Sequence, residues 1–260
     1  MSRPALYDAF ASLYDLQHRA FLDDLPLYLR LARELGSQAR ILEIGCGSGR
    51  LLLPLVETGY CVVGVDESPA MLEIAHKRLL DLPNVPRSRW LLVRGDARAL
   101  PLAGVLDLAV IALNTFLHNL TREAQLGMLR SARRSLRTGG WLVVDLPPND
   151  EMAWQPDDGQ FRLEATIIDP ADGSEIRKYV ASRIFWSTQE QELTYRVETR
   201  RKASPAQEQL FTIRLRHVFR HEMELLLLQT GFGEPCWYGE YDLSPYQEGS
   251  TRMIALAQAV

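Results

Sequence analysis

The chain has 260 residues, with 29 lysines and arginines against 33 aspartates and glutamates, so its net charge is −4. This acidic balance argues against a binder of nucleic acids or anionic membranes, because such partners require a basic surface. The three scattered cysteines argue against a disulfide framework, and no apolar run reaches the length of a membrane span. We therefore expect a cytoplasmic protein with no nucleic-acid or membrane partner.

The first half of the chain alternates helical and strand patterns. Residues 5–35 have apolar side chains at near-helical spacing and are followed by Gly36, which favours a helix end. Short apolar runs then alternate with helical stretches, as in a parallel sheet buried on both faces. The predicted strands are residues 39–44, 61–66, 90–93, 106–113 and 141–146, and the predicted helices are residues 50–58, 69–80 and 121–136. This order indicates a doubly wound α/β sheet.

The second half changes character after a polar connector at residues 147–160. Alternating polar and apolar residues between turn signals predict an antiparallel meander of residues 161–168, 176–187, 192–202 and 209–219. A helix and two last strands are predicted at residues 221–230, 236–239 and 253–257. We therefore expect a core of residues 1–150, a β insertion of residues 151–219, and a closing portion of residues 220–260 that completes the core.

The most informative segment is a glycine-rich loop after the first predicted strand. Gly45, Gly47 and Gly49 allow a tight turn and let backbone N–H groups approach a ligand. Arg50 stands where the dinucleotide fingerprint G-x-G-x-x-G requires its third glycine, which disfavours a nicotinamide oxidoreductase. Glu43 precedes the loop, and its carboxylate would repel a pyrophosphate but could hold an ammonium group.

Two further acids follow the next two predicted strands. Asp66 ends the second strand, where an acid commonly accepts hydrogen bonds from ribose hydroxyls, and Asp96 follows the third, where an adenine amino group could donate to it. Each acid alone is also compatible with a solvated loop residue. Three acids at successive strand ends beside a glycine loop indicate a binding site.

Three segments resemble motifs of a known family. Residues 41–55, 63–75 and 95–97 are similar to motifs I, II and III of class I S-adenosylmethionine-dependent methyltransferases. The resemblance covers about residues 7–147, and the C-terminal portion is similar to the closing β-hairpin of the small-molecule members. It implies a Rossmann-like sheet of seven strands with the last strand antiparallel, an antiparallel β insertion as a lid, and S-adenosyl-L-methionine as the cofactor.

The resemblance also implies which residues bind the cofactor. Asp66 would bind the ribose, Met71 would pack near the adenine, and Asp96 with the Ala97 backbone would read the adenine edge. Tyr14, in a segment similar to a cofactor-capping helix, would bind the methionine carboxylate, although an ordinary core tyrosine is an equal alternative. The complete predicted set is Tyr14, Glu43, Gly45, Cys46, Gly47, Gly49, Asp66, Glu67, Met71, Asp96, Ala97 and Asn114.

The segment after the fourth predicted strand is expected to face the reacting centre. Asn114 would hydrogen-bond the methionine moiety or the acceptor, and His118 is the candidate general base, because an unperturbed histidine pKa near ~6.5 suits that role. In the alternative interpretation, His118 only packs or caps at the helix that starts at Thr121. No metal is expected, since Asn114 stands where Mg²⁺-dependent catechol-type enzymes place an aspartate, although residues 149–150 could offer oxygen ligands.

Substrate choice is expected to depend on the β insertion. Its aromatic residues Tyr179, Trp186 and Tyr195, together with Tyr241 near the C-terminus, would wall an acceptor pocket. The same residues could instead form the core of the insertion, and the insertion could also pair two copies into a homodimer.

The expected function is transfer of a methyl group from S-adenosylmethionine to nitrogen or oxygen of a small-molecule acceptor by direct in-line displacement. The [DN]-P-P-[YFW] element of methyltransferases that act on nucleobase nitrogens is absent after the fourth predicted strand. Two alternatives are a protein or peptide methyltransferase and a non-catalytic protein that binds S-adenosylmethionine.

Overall fold

The computed structural model describes residues 7–148, 156–201 and 205–260. These residues form two compact units. The first comprises the described residues up to Pro148 together with Phe219–Val260, and the second comprises the described residues between them. No helix in the described ranges is long and apolar enough to span a membrane.

The described residues form eleven strands and six α-helices, which are numbered in chain order. The strands are β1 Arg40–Ile44, β2 Cys61–Asp66, β3 Trp90–Arg94, β4 Leu106–Ile111, β5 Leu136–Leu146, β6 Arg162–Ile168, β7 Glu175–Phe185, β8 Glu190–Arg200, β9 Gln207–Arg216, β10 Cys236–Tyr238 and β11 Met253–Gln258. The helices are α1 Ala11–His18, α2 Leu25–Glu34, α3 Leu52–Glu57, α4 Pro69–Leu80, α5 Arg122–Ser135 and α6 Arg220–Gln229.

The first unit contains a seven-stranded sheet in the order β10-β11-β5-β4-β1-β2-β3. Strands β1 to β5 pair in parallel, whereas β11 is antiparallel to both β5 and β10. The predicted α/β sheet of seven strands with an antiparallel last strand is therefore confirmed. The central strands β1 and β4 are apolar and fully buried at Ile41, Leu42, Leu108 and Val110, because both faces of the sheet are covered.

The second unit is a four-stranded antiparallel sheet in the order β6-β7-β8-β9, which confirms the predicted meander. In its register Val180 lies opposite Tyr195, and Tyr179 lies opposite Arg196. Because neighbouring residues of a strand point to opposite faces, Tyr179 and Tyr195 are on different faces of this sheet.

Several element boundaries differ from the sequence prediction, and three of the differences lie in the first unit near the site or the sheet. The predicted N-terminal helix is interrupted between α1 and α2, and β4 ends at Ile111 instead of residue 113. The third predicted helix stops at Ser135, and β5 begins directly after it, so Gly139 and Gly140 lie within a strand. A Cβ at Gly140 would come 3.2 Å from the Leu106 carbonyl oxygen, so this glycine permits close approach of β4.

A buried ion pair connects the N-terminal helices to the glycine loop. The Asp24 carboxylate, just before α2, is fully buried and accepts two hydrogen bonds from the Arg50 guanidinium, of 2.6 and 2.7 Å. Arg50 also donates to the Phe21 carbonyl oxygen at 2.8 Å. The residue that replaces the third glycine of a dinucleotide loop therefore anchors the N-terminal segment.

Asp24→Ala is expected to lower the free energy of unfolding by about 3–5 kcal/mol, because it leaves the Arg50 charge buried and unpaired. Urea denaturation measures the loss. The matched control is Glu34→Ala, which removes the partner of Arg30 in a pair whose side chains are more than half exposed and should change stability little. Equal losses in the two variants would contradict this assignment of Asp24.

Candidate functional site

The glycine loop is held tightly against its surroundings at Gly45. The N–H groups of Gly45 and Cys46 donate to the Val65 carbonyl oxygen at 2.8 and 3.0 Å, which ties the loop to β2. Gly45 has a φ of +74°, and a Cβ there would collide with the Thr115 side chain in the segment after β4. Only glycine satisfies both the left-handed backbone and this close contact.

At Gly47 the loop has open space on its Cα side. Gly47 has a φ of +53°, and a Cβ there would meet only the Met71 sulfur, at 4.0 Å. The Gly47 N–H donates to Asp66 Oδ2 at 2.8 Å, and the Ser68 N–H donates to Asp66 Oδ1 at 2.8 Å. The carboxylate is thus held in one orientation, and each oxygen retains capacity for a further donor. Burial raises the pKa of Asp66.

Glu43 is the most unusual acid of the site. It is only 4% exposed, and its Oε2 atom has no hydrogen-bond partner among the described residues. Loss of solvent raises the pKa of Glu43 from 4.5 to about 8, although the Arg50 charge opposes the shift. A buried carboxyl with an unsatisfied oxygen is suited to a cationic or hydrogen-donating ligand group.

The acids near the loop differ in whether they have an arginine partner. Three buried or half-buried acids near the loop have arginine partners, in the pairs Asp15–Arg78, Asp24–Arg50 and Asp145–Arg252. In the part of the chain that the structure describes, Glu43 and Asp66 have no such ion pair. Asp66 therefore has no arginine partner for its charge, and a cationic ligand group next to Glu43 would favour the ionised form of that carboxyl.

The N-terminal segment reaches this site through several polar contacts. The Asp8 carboxylate accepts a hydrogen bond of 2.6 Å from Ser68 Oγ, at the start of α4. The Tyr7 hydroxyl lies 2.9 Å from His118 Nε2, and the Tyr7 ring packs edge-on against Tyr14, with 5.4 Å between the ring centroids. These contacts bring Tyr14 into the predicted site.

The charges around Tyr14 agree with this placement. Burial raises the pKa of the Tyr14 hydroxyl, and the nearby carboxylates of Asp66 and Glu43 raise it further. The hydroxyl is therefore a protonated hydrogen-bond donor at neutral pH.

A polar cluster at Asn114, after β4, joins this predicted residue and Tyr241 to two residues that were not predicted, Asp145 and Arg252. Arg252 Nε donates to Asp145 Oδ1 at 2.7 Å, and Arg252 Nη2 donates to Asn114 Oδ1 at 2.9 Å. The Tyr241 hydroxyl donates to Asp145 Oδ2 at 3.2 Å. Asp145 is the one charged residue of the apolar run at residues 141–146, and that isolated charge was the available signal for a buried cationic partner.

Several other predicted residues have well-defined surroundings. Met71 and Cys46 are buried beside the loop, and burial raises the pKa of the Cys46 thiol well above its ordinary value, so this thiol is unreactive. The Asp96 carboxylate binds the Arg98 guanidinium at 2.6 to 2.9 Å and caps the turn that begins at Ala97. Asp96 is therefore already paired, and its contact with adenine stays a prediction. The charge of Asp96 and burial together raise the pKa of Glu67.

His118 lies in a short 3-10 helix, Thr115–His118, with its ring against Tyr7. Burial lowers the pKa of His118 from 6.5 to about 4, below the near-neutral value expected from the sequence. The imidazole is consequently neutral at physiological pH. Its predicted role as a general base remains a hypothesis.

The aromatic residues of the insertion are mostly engaged within that unit. The Tyr179 ring contacts the Arg196 guanidinium, and the Tyr195 ring contacts Lys178 and stacks on Phe211. Trp186 is 56% exposed. Because Tyr179 and Tyr195 are on opposite faces, they cannot line one pocket together.

Within the described residues, no cluster of three or more histidine, cysteine, aspartate or glutamate side chains could hold a metal ion. The alternative oxygen ligands at residues 149–150 lie outside the described ranges.

Glu43→Gln is expected to remove a pH dependence of stability. Folded Glu43 keeps its proton up to about pH 8, whereas the unfolded chain releases it near 4.5, so folding takes up a proton between these values and stability falls as pH rises. Urea denaturation of the ligand-free protein between about pH 5 and pH 8 should show the variant gaining stability relative to wild type. The exposed Glu57→Gln is the control, and a pH-independent difference for Glu43→Gln would contradict the assignment.

Comparisons with known proteins agree with this geometry. Residues 41–140 match the family model of a methyltransferase domain. The cypemycin N-terminal methyltransferase of a Streptomyces species is 31% identical over 147 residues, which are 56% of this chain and 58% of that protein. The chain thus spans little more than half the length of the curated relatives that it matches.

Two solved structures share the fold over almost the entire chain. The CcbJ methyltransferase from Streptomyces caelestis has a TM-score of 0.78 at 20% identity, with 100% of both chains covered. The sugar N-methyltransferase KedS8 from a Streptoalloteichus species has a TM-score of 0.73 at 20% identity, with 99% of this chain and 95% of that chain covered. Residues 41–140 thus contain a methyltransferase domain, and the sheet order and the acidic glycine-loop site agree with the class I S-adenosylmethionine-dependent methyltransferases, whose cofactor is S-adenosylmethionine.

Proposed function

We propose that this protein transfers a methyl group from S-adenosylmethionine to an amine nitrogen of a small-molecule acceptor. The observation that carries the proposal is the buried Glu43 carboxyl together with the half-buried Asp66 carboxylate, which have no arginine partner among the described residues and flank a glycine loop with open space at Gly47. A ligand with a positive charge, an ammonium group and ribose hydroxyls satisfies both acids.

The residues of the site fit this cofactor. Glu43 would accept a hydrogen bond from the ammonium group with its unsatisfied oxygen, and Asp66 would accept hydrogen bonds from the ribose hydroxyls. The open space at Gly47 would accommodate the methionine part of S-adenosylmethionine. Tyr14, with its protonated hydroxyl, would donate to the methionine carboxylate.

The chain itself has to position groups and exclude water. When bound, S-adenosylmethionine supplies a methyl group that is already electrophilic because it is attached to a sulfonium. The protein therefore needs to hold the acceptor nitrogen in line with that methyl group, and orientation of this kind accounts for several kcal/mol of a barrier. Tyr7 and His118, which bond to each other at 2.9 Å, would form one wall of the reacting centre.

An amine fits this site better than a hydroxyl does. A hydroxyl has to lose its proton as the new bond forms and benefits from a strong general base, whereas an unprotonated amine already carries its lone pair. With a pKa of about 4, His118 is a weak base. The names of the cypemycin N-terminal methyltransferase and of the sugar N-methyltransferase KedS8 support transfer to nitrogen.

The amino terminus of a peptide is the second candidate acceptor. It is favoured by the name of the cypemycin N-terminal methyltransferase, which this chain matches over 147 residues. A small molecule is preferred because proteins that match the whole fold include a sugar N-methyltransferase.

Gly47→Ala is expected to weaken binding of S-adenosylhomocysteine at least tenfold, since the new methyl group would fill the open space at the loop. Gly59→Ala is the matched control, because Gly59 also has a positive φ, of +102°, and open space around it, but lies after α3. Calorimetric titration should show wild-type affinity in the control. Equal affinities in the two variants would contradict the proposed cradle.

The pH dependence of turnover is expected to be set by the pKa of the acceptor amine and not by the pKa of a protein group. For two amine acceptors of different pKa, the rise of kcat/KM with pH should shift with the amine pKa, because only the unprotonated amine reacts. Transfer of a labelled methyl group from S-adenosylmethionine measures the rate.

His118→Asn distinguishes positioning from base catalysis in the same assay. We expect it to lower kcat by less than about 100-fold, the lower limit for loss of a general base, and to leave the profile in place. A pKa common to both amines that disappears in His118→Asn would contradict the proposal. Tight binding of S-adenosylhomocysteine without methylation of any amine or peptide would instead indicate a non-catalytic binding protein.

A further inference from the structure

The polar cluster after β4 has a backbone as unusual as its side chains. Leu113 and Asn114 have φ values of +44° and +64°, a conformation that side-chain-bearing residues rarely adopt in succession. Asp145 stabilises it, since its carbonyl oxygen accepts from the Asn114 N–H at 3.3 Å and its Oδ2 accepts from the Leu113 N–H at 3.4 Å. Such strain is typically kept where a side chain must be held in one place.

Arg252 determines which end of the Asn114 amide is free. Asn114 Oδ1 accepts a hydrogen bond of 2.9 Å from Arg252 Nη2, so the oxygen end faces the guanidinium. The opposite end, the Nδ2 amino group, has no hydrogen bond in the described part of the chain. Asn114 is therefore fixed as a donor toward whatever lies beside it.

The guanidinium of Arg252 also has N–H donors that are not used within the described residues. Its Nε and Nη2 atoms are engaged by Asp145 and Asn114, whereas Nη1 has no partner among the described residues. The Arg252 side chain is 16% exposed, while Asp145 behind it is fully buried. The accessible part of the cluster thus presents N–H groups, and the balancing carboxylate is turned inward.

The cluster lies on the acceptor half of the sheet. Asp66 and Asp96 follow β2 and β3, at one side of the sheet order, whereas Asn114 follows β4 and Arg252 directly precedes β11. Met253 pairs with Leu146 at the carboxyl end of β5, which places Arg252 at the same edge of the sheet as the glycine loop. An adenosine bound at Asp66 and Asp96 would leave this half for the molecule that is methylated.

We propose that Arg252 and Asn114 form a subsite for an anionic oxygen group, a carboxylate or a phosphate, of the acceptor. Donors without accessible acceptors select such a group, and charge-assisted hydrogen bonds from an arginine favour it over a neutral carbonyl. The inference rests on the proposed function and deepens it: the acceptor is an amine that also carries a negative charge.

The subsite can be tested before the acceptor is known. The protein saturated with S-adenosylhomocysteine is titrated with inorganic phosphate and with acetate, and the Nε–H signal of Arg252 is followed by NMR. We expect a saturable shift with both anions. No saturable shift with either anion would overturn the proposal.

Variants locate the bound anion. Asn114→Asp replaces the free amino group by a negative oxygen that can still pair with Arg252, so the fold should tolerate it, and anion affinity should fall at least tenfold. The double variant Arg252→Met with Asp145→Asn removes the guanidinium charge without leaving a buried carboxylate unpaired. Because this variant has no Arg252 Nε–H signal to follow by NMR, its anion binding is measured by calorimetry. Arg137→Gln, which removes an exposed arginine bound to Asp107 at the opposite edge of the sheet, is the control and should bind anions as wild type does. Unchanged anion affinity in Asn114→Asp would overturn the proposal.

The methionine carboxylate of the cofactor is the other anionic group that could bind at Arg252 and Asn114. A competition experiment distinguishes it from an anionic group of the acceptor. If the subsite belongs to the acceptor, phosphate binds equally well with S-adenosylhomocysteine or with 5′-methylthioadenosine, which lacks the amino-acid part. Loss of phosphate binding only with S-adenosylhomocysteine would assign the subsite to the cofactor and overturn the proposal.

Methylation rates of anionic and neutral amines test the anion subsite separately from the proposed function. Primary amines are assayed in matched pairs, one member with a carboxylate or phosphate and the other with the corresponding amide or alcohol. We expect kcat/KM to be at least tenfold higher for the anionic member, and this preference to disappear in Asn114→Asp. Equal rates for both members would overturn the subsite while leaving amine methylation intact, whereas anion binding without any methylation would overturn only the proposed function.

Discussion

Burial of charge at the carboxyl edge of the parallel sheet is the constraint on which the site depends. Strands β1, β2 and β5 each place an acid at or near this edge: Glu43, Asp66 and Asp145. An uncompensated charge in such a place costs several kcal/mol, so each acid needs a partner or a raised pKa. Asp145 has Arg252, Asp66 has two backbone N–H groups, and Glu43 has a pKa of about 8. These differences distinguish Asp145, which has a structural ion pair, from Asp66 and Glu43, which remain available to a ligand.

The segment before the sheet is attached to it by acids of its own. Asp8, Asp15 and Asp24 bind, in turn, the start of α4, Arg78 of α4 and Arg50 after the glycine loop. These contacts hold the segment in place and bring the Tyr14 hydroxyl near the charges of Arg50, Asp66 and Glu43. A cover of this kind reduces the water around reacting groups and so strengthens the electrostatic interactions between them.

Two left-handed backbone stretches shape the binding surface. In the glycine loop the residues with positive φ are Gly45, Gly47 and Gly49, which lack side chains, so the backbone itself can approach a ligand. At Leu113 and Asn114 the side chains are present, and the strain is balanced by Asp145 and Arg252. The two stretches meet where Gly45 packs against Thr115, which connects the glycine loop to the part of the sheet that we propose for the acceptor.

The order of strands and helices, the glycine loop and the acids Glu43, Asp66 and Asp96 were readable from the sequence, because apolar periodicity and local turn chemistry depend on neighbours along the chain. The pairing of Asp24 with Arg50 and of Asp145 with Arg252 was not, since these partners are far apart in sequence and meet only when the sheet forms. The same holds for the pKa of about 4 at His118, which results from burial under Tyr7. The sequence by itself thus determined the family and the cofactor, whereas tertiary structure decided which charges are satisfied and which remain for a ligand, because burial and long-range pairing exist only in the folded chain.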